Sequence, residues 1–128
     1  MSKGDAETTL QELKDLAAQF RDERGWGKHH QPRNLAVSIA VEAAELLEHF
    51  QWGEYSKHDK QEIADELSDI LLYCFSLAST LDIDVATAYR DKLERAKKKF
   101  PTTIFNPEHD DARAYKRIKA EYRQKGKK

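Results

Sequence analysis

A chain of 128 residues fits a single domain, and 22 basic against 23 acidic side chains leave a formal net charge of −1. That balance excludes a global field drawing the protein to nucleic acid polymers or to a membrane surface. The single cysteine, Cys74, excludes an internal disulfide, and no apolar run approaches the ~20 residues of a membrane span, so a cytoplasmic protein in a reducing compartment is expected.

Taken in chain order, the periodicity predicts four helices. The first covers about 9–24, where Leu10, Leu13, Leu16, Ala17 and Phe20 recur at the spacing of one buried stripe. Thr9 with Glu12 three residues later reads as a capping box, and Gly25 and Gly27 end the helix. A loop follows with Trp26, His29, His30 and Pro32. The second helix covers about 33–50, with Leu35, Ile39, Ala43, Leu46, Leu47 and Phe50 as its apolar set. Ser56 is expected to start the third, over 57–80, whose run "ILLYCFSLASTL" is apolar enough to be buried on most sides. The fourth covers 85–99, after a tight "DID" connection with Asp84 as its cap, and Pro101 closes it. The composition turns polar and then basic after Phe105, so 1–105 reads as the domain and 106–128 as a solvated tail with at most a short helix near 112–122.

Two acid pairs stand out. Glu42 and Glu45 lie on the second helix, and Glu66 and Asp69 on the third. At about 100° per residue both pairs fall on one edge of the apolar stripe of their helix, together with His49 on one and Glu62 and Tyr73 on the other. A short connection lets the helices lie antiparallel, with the acid edges facing across a groove. Carboxylates converging in a partly dry groove either take up protons or hold a cation. An all-oxygen ligand set suits Mg²⁺, with Mn²⁺ as the alternative, and Mg²⁺ recruits phosphate oxygens as further ligands. A surface acid pair is equally at home as plain solvated helix. It is the duplication, in the same position on consecutive helices, that favours a site. Glu48, His49 and Glu62 flank the acids, either orienting ligands or forming the exposed rim. Cys74, on the apolar arc, reads as core.

Glu42-Ala-Ala-Glu45 followed by Glu66-Leu-Ser-Asp69 resembles the paired ExxE…ExxD motif of the MazG-like all-α nucleoside triphosphate pyrophosphohydrolases. "HQPRN", "FQW" and "KKFP" make the chain from Leu10 to Pro101 resemble the dCTP pyrophosphatase branch of that family. The resemblance implies a four-helix bundle protomer that assembles as a homodimer or homotetramer. It implies hydrolysis of a deoxynucleoside triphosphate, dCTP or a base-modified dCTP, to monophosphate and pyrophosphate, in the service of nucleotide-pool housecleaning. Glu42, Glu45, Glu66 and Asp69 are then the catalytic, Mg²⁺-holding set. Trp26, His30 and Trp52, with Phe20 and Tyr73 near them, stand where relatives bind the base, and Lys92 stands where they touch phosphate. Relatives often carry Asn where this chain has Ala96, which makes Arg95 or Lys99 the substitute phosphate contact. Phe100 replaces a usual Tyr, and Ala17 a histidine of some dCTP-cleaving relatives; both departures bear on base preference rather than on the reaction.

Two other readings of the same residues are a non-catalytic helical module whose acidic groove binds a basic partner, and a di-iron carboxylate bundle. The latter wants Glu-x-x-His on two helices, and no Glu in this chain is followed by His at that spacing.

Overall fold

The computed structural model describes residues 3–53, 59–109 and 111–126. Its elements are helices: α1 Leu10–Glu23, a 3₁₀ turn at Trp26–His29, α2 Pro32–Glu48, α3 Lys60–Thr80, α4 Val85–Lys99 and α5 Ala112–Gly126. Among the described residues there is no strand, only an isolated bridge between Asn106 and His109 that closes a turn. The protein is all-α, as the periodicity demands, with five described helices rather than four. The expected start of the third helix, at Ser56 and residue 57, lies outside the described residues.

Local chemistry sets the helix ends. The Thr9 hydroxyl accepts from the Glu12 N–H at 3.1 Å and caps α1. Gly25 then takes φ 65°, a left-handed conformation that turns the chain into the Trp26–His29 turn. Pro32 opens α2, where its missing N–H costs nothing. α3 stops on the paired bonds of a Schellman motif, Asp82 N–H to the Ser79 carbonyl (3.3 Å) and Ile83 N–H to the Ala78 carbonyl (2.8 Å). Here Asp82, rather than glycine, holds the left-handed position at φ 54°. The Lys14 ammonium donates to the Ile83 carbonyl at 2.6 Å, tying α1 to this turn.

By its contacts the chain divides into a unit of residues 1–85 and a unit of residues 86–128. In the first, α3 packs against both α2 and α1, and α2–α3 is the more extensive pair. Its core is small: Leu35, Ala17, Phe75, Ala78 and the polar Ser76 are buried. The expectation that α3 is buried on most sides is not met in the single chain. Leu67 and Leu71 are half exposed, although α1 and α2 both pack on it. Leu16 on α1 and Leu47 on α2 are open as well, and an apolar cavity of about 360 Å³ lies between α1 and α3, walled by Leu13, Leu16, Phe20, Leu71, Leu72 and Phe75.

In the second unit, residues read as a solvated tail form α5. Asp111 is its cap, its carboxylate accepting from the Arg113 and Ala114 N–H groups at 3.0 and 3.1 Å. Ala114 is buried, Tyr115 stacks on Phe100 with centroids 5.2 Å apart, and the Lys99 ammonium sits 4.5 Å from the Tyr122 ring centroid. Among the described residues no single helix is long and apolar enough to cross a membrane.

Candidate functional site

The α2–α3 register brings the acids together. Oxygens of Glu42, Glu45 and Glu66, all half-buried, lie within 4.8 Å of one another. Asp69 is exposed and stands outside this close trio, yet its charge acts on Glu42. The Glu42 carboxyl is pushed up to about 7, first by burial, then by its hydrogen bond with Glu45 and the negative charges of Glu45, Asp69 and Glu66. Glu42 Oε2 and Glu66 Oε2 are buried with no hydrogen-bond partner. Oxygens in that condition are costly, and a hard divalent cation satisfies them all at once. The donor set therefore fits Mg²⁺ or Mn²⁺, with Glu42, Glu45 and Glu66 as its holders and Asp69 beside them.

One end of the same groove is aromatic. Trp26, His29, His30, Asn34, Leu35, Ser38 and Tyr73 line a cavity of about 250 Å³. Asn34, Ser38 and Glu42 follow one another at single-turn spacing on α2, while Tyr73 lies one turn beyond Asp69 on α3. Since Ser38 faces Tyr73 and Glu42 faces Glu66, the helices run antiparallel. The cavity and the carboxylates thus sit on successive turns of the same two helices.

Of the expected base-binding residues, Phe20, Trp26, His30 and Tyr73 are brought together. Phe20 meets Trp26 edge to face at 5.6 Å and carries the Arg24 guanidinium on its ring at 4.0 Å, so it buttresses the tryptophan. Trp26 is 46% exposed, with part of its indole open to the cavity. His30 Nδ1 is buried without a partner, and burial, Arg21 and His29 push the ring below its ordinary value, keeping it neutral near pH 7. Trp52 is not brought to this cavity: it is 91% exposed in the turn after α2. Lys92 and Arg95 belong to the second unit, where with Ala96, Lys99, Phe100 and Tyr122 they line a cavity of about 180 Å³ that has no acid in its wall.

Sequence reasoning singled out neither Ser38 nor Asn34 as a site residue. The signal was the single-turn stagger Asn34–Ser38–Glu42, which places both polar groups on the acid edge.

The profile of the MazG-like family matches residues 37–124. Human dCTP pyrophosphatase 1 is 36% identical over 106 residues, and the Bos taurus protein of that name 35% over 107; each match takes in 77% of this chain. The chain spans 62% and 63% of the length of these two relatives. A pyrophosphatase of known crystal structure from Archaeoglobus fulgidus superposes with a TM-score of 0.67 at 38% identity, over 78% of this chain and 99% of that one.

Proposed function

The chain belongs to the MazG-like family, and on that premise we propose that it hydrolyses a deoxynucleoside triphosphate, dCTP or a base-modified dCTP, between the α- and β-phosphates to the monophosphate and pyrophosphate. The observation that carries this reading is the close cluster of Glu42, Glu45 and Glu66, with two buried carboxylate oxygens unpartnered, on the same two helices that supply Asn34, Ser38 and Tyr73 to the aromatic cavity.

In this reading Glu42, Glu45, Glu66 and Asp69 hold Mg²⁺, with Mn²⁺ as a substitute. The ion supplies charge neutralisation of the triphosphate and a water of lowered pKa. One of these carboxylates would also serve as the general base that takes the proton of the attacking water. Trp26 and Tyr73 flank the base, with Phe20 holding Trp26 upright. A neutral His30 offers one donor and one acceptor nitrogen, and its unpartnered Nδ1 is suited to a hydrogen bond with the edge of the base. Lys92 and Arg95, cations in an acid-free wall, are suited to phosphate oxygens, and Lys99 beside Ala96 supplies charge where relatives often place an amide. The exposed apolar side chains of α1, α2 and α3 support self-association as a dimer or tetramer.

A panel of deoxynucleoside triphosphates, followed for monophosphate and pyrophosphate with Mg²⁺ and with chelator, tests the proposal. Pyrophosphate release from dCTP that stops with chelator is expected; inorganic phosphate as the first product, or no turnover of any member, contradicts it.

A further inference from the structure

α2 ends at Glu48, and the next residue, His49, closes it with its N–H on the Leu46 and Leu47 carbonyls. The backbone of His49 is thereby fixed at the mouth of the groove. Its side chain is only 21% exposed, and each ring nitrogen faces a carboxylate of α3. Nδ1 is 3.5 Å from Glu62 Oε2, and Nε2 is 3.6 Å from Glu66 Oε1. Glu62 and Glu66 are one turn apart on α3, so a single flat ring spans two successive turns of the facing helix. Glu66 is thus addressed differently at its two oxygens. Oε1 has the imidazole beside it, while Oε2 is buried and unpartnered within the carboxylate trio.

We propose that His49 is a positioning residue, holding Glu66 by Oε1 so that Oε2 is aimed into the cation site, with Glu62 steadying the ring from its far side. This rests on the reading of Glu42, Glu45 and Glu66 as the cation site. A free glutamate side chain samples many rotamers, and each must be given up when the ion binds. A carboxylate already held on one oxygen gives up less, which is how groups behind metal ligands raise affinity. Such partners are worth about 10- to 100-fold in metal affinity. The contacts here are longer than good hydrogen bonds and Glu62 is largely exposed, so the lower end, about tenfold, is expected.

The test is Mn²⁺ binding to nucleotide-free protein at one fixed pH, read from the electron paramagnetic resonance signal of the unbound ion. His49→Leu is expected to raise the Kd about tenfold, and His49→Gln, whose amide can still donate to Glu66, to recover part of that loss. Glu62→Gln should weaken binding in the same direction by a smaller factor. A wild-type Kd in His49→Leu overturns the inference. So does equal weakening in His49→Leu and His49→Gln accompanied by a lowered melting temperature, the mark of a packing role at the end of α2. Glu66→Gln separates this from the parent reading: wild-type affinity there removes the cation site itself, whereas loss of binding there with an unaffected His49→Leu removes only the role of His49.

Discussion

Acid should strip the cation from this protein along a curve set by one carboxyl. Glu42 titrates at about 7 in the metal-free fold against an ordinary 4.5, because it is buried among like charges. An ion held by Glu42 needs it ionised, so protons compete with metal and the apparent Kd grows as 1 + 10^(pKa − pH). That factor is about 1.1 at pH 8, about 2 at pH 7 and about 11 at pH 6, a tenfold weakening worth about 1.4 kcal/mol between the extremes. An ordinary glutamate would leave affinity flat over the same span. Calorimetry in buffers of different ionisation enthalpy should show about one proton released per ion at pH 6 and almost none at pH 8. Stability moves the opposite way without metal. The folded-state value lies above the unfolded one, so between about 4.5 and 7 the folded protein binds the extra proton. This group's contribution is fully present below about 4.5 and is lost as pH rises through about 7. Melting curves in chelator should therefore fall over that window and be restored by Mg²⁺ at high pH, and Glu42→Gln should flatten them. Affinity that is constant from pH 6 to 8, or ion uptake without proton release at pH 6, would refute the reasoning.

Glu45→Gln and Asp69→Asn should each lower kcat by at least about 100-fold while far-ultraviolet circular dichroism stays unchanged; wild-type rates would sink the site assignment. Trp26→Ala should raise KM for dCTP by about fivefold or more, with kcat little affected, because its indole is the stacking face for the base. His30→Leu should lower kcat/KM for dCTP by about tenfold, because a polar group facing the base edge is gone.

Much of the fold was legible because local chemistry determines it. Val85–Lys99 matches its expected bounds, and α1 begins where Thr9 and Glu12 said it would. The acid edge was legible too, since 3.6-residue periodicity puts Glu42 and Glu45 on one side of α2 before any partner helix is known. α5 was written in residues given too little weight: Asp111 as a cap, then Ala114, Tyr115, Ile118 and Tyr122 as a stripe, masked by the basic charge around them. What no local pattern encodes is which residues of α2 and α3 stand opposite each other. Ser38 against Tyr73, and His49 between Glu62 and Glu66, follow from that register alone. The exposure of Trp52 was equally hidden: expected among the base-binding residues, it is 91% exposed in the turn after α2.

The most direct test of the account is a crystal structure with Mg²⁺ and a dCTP analogue whose α–β bridge resists cleavage. The account predicts an ion bridging Glu42, Glu45 and Glu66 to the phosphates, with the base against Trp26 and Tyr73. An ion and nucleotide bound elsewhere, with those carboxylates turned apart into solvent, would contradict it.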